Sequence, residues 1–129
     1  MTKVSIDTII EMTRPSYKEI NQKIKQAQKA ISEHRISIIN PISIAADALE
    51  LGFPVESIGG STLTDIFGEI TPKSYVGQYP PQKSYEDKIA GCELYSFRWV
   101  SRHLGCRIYL KFALKENHFW LVSLHEDRA

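Results

Sequence analysis

Arg107, Tyr109 and Lys111 alternate with Ile108, Leu110 and Phe112 in the run CRIYLKFAL. A half-buried strand produces that period of two and a helix does not. One face of such a strand enters a core, while the other sets a guanidinium, a phenol and an ammonium side by side. Arg98 in the run before it and His125 in the run after it share that polar face once the strands are paired. Together Arg98, Arg107, Tyr109, Lys111 and His125 suit metal-free cleavage of RNA. In that reaction the ribose 2′-hydroxyl attacks the adjacent phosphate. One group takes its proton, another protonates the leaving 5′-oxygen, and cations stabilise the pentavalent phosphorane. Arginine serves the last role because its planar fork matches phosphate geometry; Tyr, Lys or His can move the protons. An ordinary solvent-facing strand carries the same residue types, so both readings stay open at this level.

Three apolar-rich runs must position these groups: residues 93–100, 106–114 and 119–125, separated by short polar breaks. They predict three antiparallel strands in meander order. A three-residue loop over 116–118 would pair Leu114 with Trp120, Phe112 with Val122 and Leu110 with Leu124, all apolar. It would also set Ser123 and His125 beside Lys111 and Tyr109. An even-numbered loop would bury Ser123 and His125, so patterning favours the odd one. In the first run Tyr95, Phe97 and Trp99 are expected to face the core, with Ser96 and Arg98 outward.

Upstream, residues 5–12 predict a short helix, ended by Arg14-Pro15. Ser16 followed by Glu19 reads as a capping box, and Ile20, Ile24, Ala27 and Ile31 recur at helical spacing. Lys18, Lys23, Lys25 and Lys29 occupy other faces of that helix, as a solvated surface or a partner surface would have them. Residues 35–40 read as a strand or extended connector. A helix from Ser43 is stopped by Gly52 and Pro54, and Leu63, Ile66 and Phe67 have helical spacing. Residues 71–88 hold three prolines and no sustained periodicity, an ordered or mobile surface loop. Its Lys73, Gln78, Gln82, Lys83 and three tyrosines, Tyr85 among them, suit stacking and phosphate contact. Helices first and meander last is α+β, with N-terminal helices packed on the apolar face of a C-terminal antiparallel sheet.

At 129 residues, 43% hydrophobic and 24% charged, the chain has the size and composition of one globular domain, 1–129. A net charge of +1 excludes a polycation, so nucleic-acid binding would rest on local clustering. No apolar run approaches the roughly 20 residues of a membrane span, and the first ten residues lack a signal-peptide layout. Cys92 and Cys106 would lie roughly 20 Å apart along one strand, beyond disulfide reach. They read as free thiols, which makes the cytoplasm the expected compartment. No Gly-rich phosphate loop, GxSxG, HExxH or cysteine zinc spacing is present, so neither metal nor cofactor is expected. Ser123 and His125 stand about 6.6 Å apart as strand residues i and i+2, too far for a nucleophile and its base.

The last third resembles the RelE/HigB-type ribonuclease toxins of bacterial toxin–antitoxin pairs. It does so through Glu93-Leu94 with Arg98, Arg107-Ile108-Tyr109, and Leu121-Val122-Ser123-Leu124-His125. The middle is similar to the toxin MqsR, through ALELGF at 48–53, Lys73-Ser74, Gln82-Lys83-Ser84-Tyr85 and Ile108-Tyr109-Leu110-Lys111. The resemblance spans roughly residues 45–127 and leaves 1–40 as a helical N-terminal extension to a RelE/MqsR-like core at 41–129. It implies a metal-independent endoribonuclease acting on RNA and held inactive by a cognate antitoxin protein. Lys73, Gln82 and Tyr85 would take MqsR-like substrate roles; Arg98, Arg107 and Tyr109 would be RelE-like phosphate or acid–base residues. The rival is a non-catalytic binding module, such as an immunity or antitoxin-like protein, using the same face.

Overall fold

The computed structural model describes Ser5 and residues 13–127. Apart from Ser5, the helix expected over residues 5–12 lies outside the described residues. Helix α1 (Tyr17–Ser32) starts at Ser16, whose Oγ accepts the Glu19 amide at 3.1 Å. The reciprocal half of the capping box is absent, because Arg14 binds the Glu19 carboxylate instead. The expected apolar stripe of α1 is buried, with Ala30 added to it. Strand β1 (Ile36–Ile38) follows, then helix α2 (Pro41–Glu50). The latter begins two residues before Ser43, since the fixed φ of Pro41 suits a first helical turn. It stops before Gly52, whose φ of +91° is the left-handed backbone a helix end asks of glycine. Short α3 (Leu63–Phe67) buries Leu63, Ile66 and Phe67.

Strands β2 (Tyr95–Ser101), β3 (Cys106–Lys115) and β4 (His118–Glu126) form the meander. The sheet has a fourth member. Its order is β1-β4-β3-β2, and β1 pairs with β4 in parallel, so the chain is α+β with a mixed sheet rather than a purely antiparallel one. Because α1 and β1 are built into the main core and the sheet, residues 17–38 are integral to the domain. On the helix side Ile108, Leu110 and Phe112 are fully buried. Phe67 meets Phe112 and Phe119 edge-on at 5.6 and 5.4 Å, and Phe97 stacks on Phe112 at 5.8 Å. Burying each such side chain stabilises the fold by roughly 1.5–3 kcal/mol. Tyr95 and Phe97 are core as expected. Trp99 is only half-buried, its indole N–H donating to Glu69 at 3.1 Å.

The β3–β4 register corrects the expected one. The turn is the two-residue Glu116-Asn117, both left-handed at φ +53° and +62°, which matches the strand twist. Leu114 therefore pairs with Phe119 and Phe112 with Leu121, not with Trp120 and Val122. A bulge between Lys111 and Phe112 then slips the register by one residue. Beyond it Leu110 faces Leu124, Lys111 faces Ser123 and Tyr109 faces His125, as patterning required. An even turn plus a bulge solves the same burial problem as an odd loop.

The polar face is not polar throughout. Ala113 is buried there with Ile39, Ile89 and Leu94, against Cys92, Trp120 and Val122. Residues 81–94 fold over that end as a flap. Its stem is tied by Ser84 N–H to Cys92 O (2.8 Å), Gly91 N–H to Ser84 O (2.9 Å) and Leu94 N–H to Gln82 O (2.8 Å). Lys115 Nζ donates to Lys88 O at 2.8 Å, pinning the tip. Arg14 fixes the base, its two terminal nitrogens donating to the Glu93 carboxylate at 3.0 Å each while it also binds Glu19 on α1. These hydrogen bonds from Arg14 hold Glu93 below the usual carboxylate range. The proline-rich segment 71–88 is thus ordered structure, with Tyr75 bridging to Phe97 on the outer edge of β2.

Candidate functional site

Pairing converts the alternation in β2, β3 and β4 into rows that cross the sheet. Directly opposed residues share a face, and successive rows on that face lie about 7 Å apart along the strands. The outermost row is Val100 and Arg107. Arg98, Tyr109 and His125 form the next, and Ser96, Lys111 and Ser123 the third. A fourth, Ala113 and Trp120, lies under the flap. The flap therefore divides the face into an apolar covered end and an open basic shelf. All five residues expected to carry chemistry are on the shelf: Arg98 and Arg107 exposed, Tyr109, Lys111 and His125 half-buried.

The middle row is preorganised. The rings of Tyr109 and His125 stack at 5.2 Å, and the Tyr109 hydroxyl meets Ser96 Oγ at 3.1 Å. His125 Nδ1 lies 2.9 Å from the carbonyl oxygen of Glu126. A carbonyl only accepts, so Nδ1 carries the hydrogen and Nε2 of the neutral ring is left as the acceptor. Arg98 Nε lies 2.7 Å from Asp127 Oδ2, a charge contact without the alignment of a hydrogen bond. Asp127 is fixed by its own amide, which donates to Arg107 O at 2.9 Å. Part of the Arg98 charge is therefore already balanced, which Arg107 and Lys111 do not share among the described ion pairs.

At the edge of the flap a cavity of about 320 Å³ joins shelf to roof. Gln82, Lys83, Tyr85 and Glu86 line it from the flap, and Lys111 and Val122 from the sheet. The structure thus brings three of the four expected substrate contacts, Gln82, Lys83 and Tyr85, to the end of the shelf that holds Lys111. Tyr85 is 92% exposed and shares the lining of this cavity with Lys83 and Lys111. Lys73 stands apart. It sits on the turn Pro72–Ser74, which packs on α1 and the outer edge of β2, and it does not line that cavity. Among the described residues, no group of three or more His, Cys, Asp or Glu is placed to hold a metal ion. No described helix is long and apolar enough to cross a membrane.

Sequence reasoning missed Asp127 and the Glu126 carbonyl. Parity held the signal for the first, because 123, 125 and 127 fall on one face of β4 extended. The second is a backbone group with no side-chain signature. No protein-family model matches the chain, and no curated protein matches it in sequence.

Proposed function

We propose that this chain is an endoribonuclease of the RelE/HigB/MqsR toxin type, cutting RNA by 2′-hydroxyl attack on the adjacent phosphate and restrained by a cognate antitoxin. The observation that carries the reading is the row Arg98–Tyr109–His125, with its imidazole tautomer set by the Glu126 carbonyl. In this account His125 Nε2 takes the 2′ proton as the 2′-oxygen bonds to phosphorus. The bond from phosphorus to the 5′-oxygen breaks, and the Tyr109 hydroxyl gives that oxygen its proton. Solvent then returns both groups to their starting states. Arg107 and Lys111, with Arg98 once phosphate competes with Asp127, balance the phosphorane charge. Lys83 and Gln82 hold a neighbouring part of the strand, and the Tyr85 ring stacks a base.

The test is induced expression in a bacterial host, following growth and total RNA over time. The expected result is growth arrest with RNA fragmentation, abolished by Arg107→Ala. A second reading, a non-catalytic protein-binding module, draws on the Arg98–Asp127 contact and on Tyr85 and Val100, 92% and 65% exposed, at the borders of the shelf. Normal growth with intact RNA at full expression would favour that module.

A further inference from the structure

The cleft between α1 and the β3–β4 turn has a volume of about 460 Å³ and lies beyond the shelf, four residues along β3 from Lys111. Four cationic residues line it: Lys23 and Lys29 from α1, Arg35 from the segment leading into β1, and Lys115 from the end of β3. Two acids also line it, and they do not balance the set. Glu33 is occupied by Arg35, at 2.7 Å, and Glu116 forms no ion pair among the described residues. None of the three lysines has a carboxylate within ion-pair distance among those residues. Lys115 donates to a backbone carbonyl, and Lys23 stands 5.8 Å over the Tyr95 ring. No ion pair neutralises any of the three, and Lys23 also acts at longer range on Glu93.

Arg35 is the fixed point of the cleft. One terminal nitrogen donates to Asn117 O at 2.6 Å and the other pairs with Glu33, while Nε is buried with no hydrogen-bond partner. This ties the floor of the cleft to the β3–β4 turn. Lys29 in the last turn of α1 also balances the helix dipole. That role explains neither Lys23, two turns earlier, nor Lys115 on another element. In a chain of net charge +1, four cations against two carboxylates around one cleft leave a local excess of two positive charges, which attracts an anion.

We infer that this cleft is a phosphate-binding site, separate from the shelf, taking the phosphate of a nucleotide or of an RNA backbone. It stands whether or not the shelf cleaves RNA. The experiment is an NMR titration of the whole chain with inorganic phosphate, against chloride at matched ionic strength. Uridine monophosphate and a short oligouridylate with 2′-deoxy linkages form two further arms. Saturable shifts are expected at the amides of Lys29, Arg35, Lys115 and Asn117 with phosphate and not with chloride. The double variant Lys29→Gln/Lys115→Gln should weaken phosphate binding about tenfold or more, while Arg107→Ala on the shelf leaves the cleft shifts unchanged. An oligouridylate that binds the cleft more tightly than the mononucleotide assigns the ligand to RNA; equal affinity assigns it to a free nucleotide or phosphate. Shifts that follow chloride equally, or a double variant with unaltered phosphate affinity, would overturn the site. Retained amide dispersion in the double variant separates lost binding from lost folding.

Discussion

Tyr109 and His125 belong to one row only because β3 and β4 are paired with a bulge, and their value to the chemistry can be separated residue by residue. Arg98→Ala and Arg107→Ala should leave the fold intact, both side chains being exposed, and should lower cleavage by about 10²–10³, or about 3–4 kcal/mol, as loss of one charge-stabilising donor does. Arg107 should be the costlier of the two, since Asp127 already claims part of Arg98. Tyr109→Phe keeps the stack on His125 and removes the hydroxyl with its hydrogen bond to Ser96 Oγ, so it tests the hydroxyl's role without displacing the ring. Lys25→Ala on the exposed side of α1 is the charge control and should retain activity. Cleavage assays on the four purified variants check the ranking. Away from the shelf, Glu69 caps the β2–β3 turn. It accepts hydrogen bonds from Ser101 Oγ at 2.7 Å, Trp99 Nε1 at 3.1 Å, and the amides of Arg102 and His103 at 2.8 and 3.0 Å. Burial alone would raise its pKa, but these donors outweigh burial and hold the carboxyl below its ordinary value of 4.5. A depressed folded value means stability that is complete above about pH 4.5 and is lost as pH falls through the folded value. Glu69→Gln should cost on the order of 2 kcal/mol at neutral pH and flatten the acid limb of the unfolding curve, read by denaturant melts across pH.

Elements differed in how plainly they could be read. The alternation through Ile108, Leu110 and Phe112 fixed which face of β3 is core, and the spacing of Ile20, Ile24, Ala27 and Ile31 fixed the buried side of α1. Both patterns are local and repeat along the element, so the sequence carries them directly. The bulge at Lys111/Phe112 does not repeat, and Glu116 is an unusual residue for a left-handed position, so neither announced itself. That turn is also improvable. Glu116→Asn relieves a left-handed non-Asn, non-Gly residue and should stabilise the chain by about 0.5–1 kcal/mol in thermal or denaturant unfolding. A loss of stability would mean the Glu116 side chain has a use the turn geometry does not reveal. The flap was the least legible element, because its order comes from distant partners rather than from its own composition. Arg14 joins α1 at Glu19 to the flap's stem at Glu93, which lies 79 residues further along the chain from Arg14. Arg14→Ala should leave those two carboxylates facing each other without a cation. Hydrogen exchange at the Ser84, Gly91 and Leu94 amides should then rise while β3–β4 protection holds. Unchanged protection would assign the flap to Ile89 and Leu94 alone.

For the whole molecule, helices fill one side of the sheet, and the flap covers one end of the other. The shelf is what remains open, and it gathers cations in a chain whose net charge is only +1. The meander was legible, as was the outward set Arg98, Arg107, Tyr109, Lys111 and His125, because parity decides both. The parallel edge strand β1 and the cavity joining Lys111 to Gln82, Lys83 and Tyr85 were not, since each depends on segments far apart in sequence. Lys73, read from the loop's composition and a Lys-Ser motif, ended up away from that cavity. On the proposed function the shelf cleaves RNA with its own charges and proton carriers. The most direct measurement is the end chemistry of RNA incubated with the purified chain in excess EDTA, resolved by mass spectrometry. The native chain should leave 2′,3′-cyclic phosphate and 5′-hydroxyl ends, and Arg107→Ala should leave the RNA intact. Ends bearing 3′-hydroxyl groups, or RNA left whole by the native chain, would contradict the proposed function.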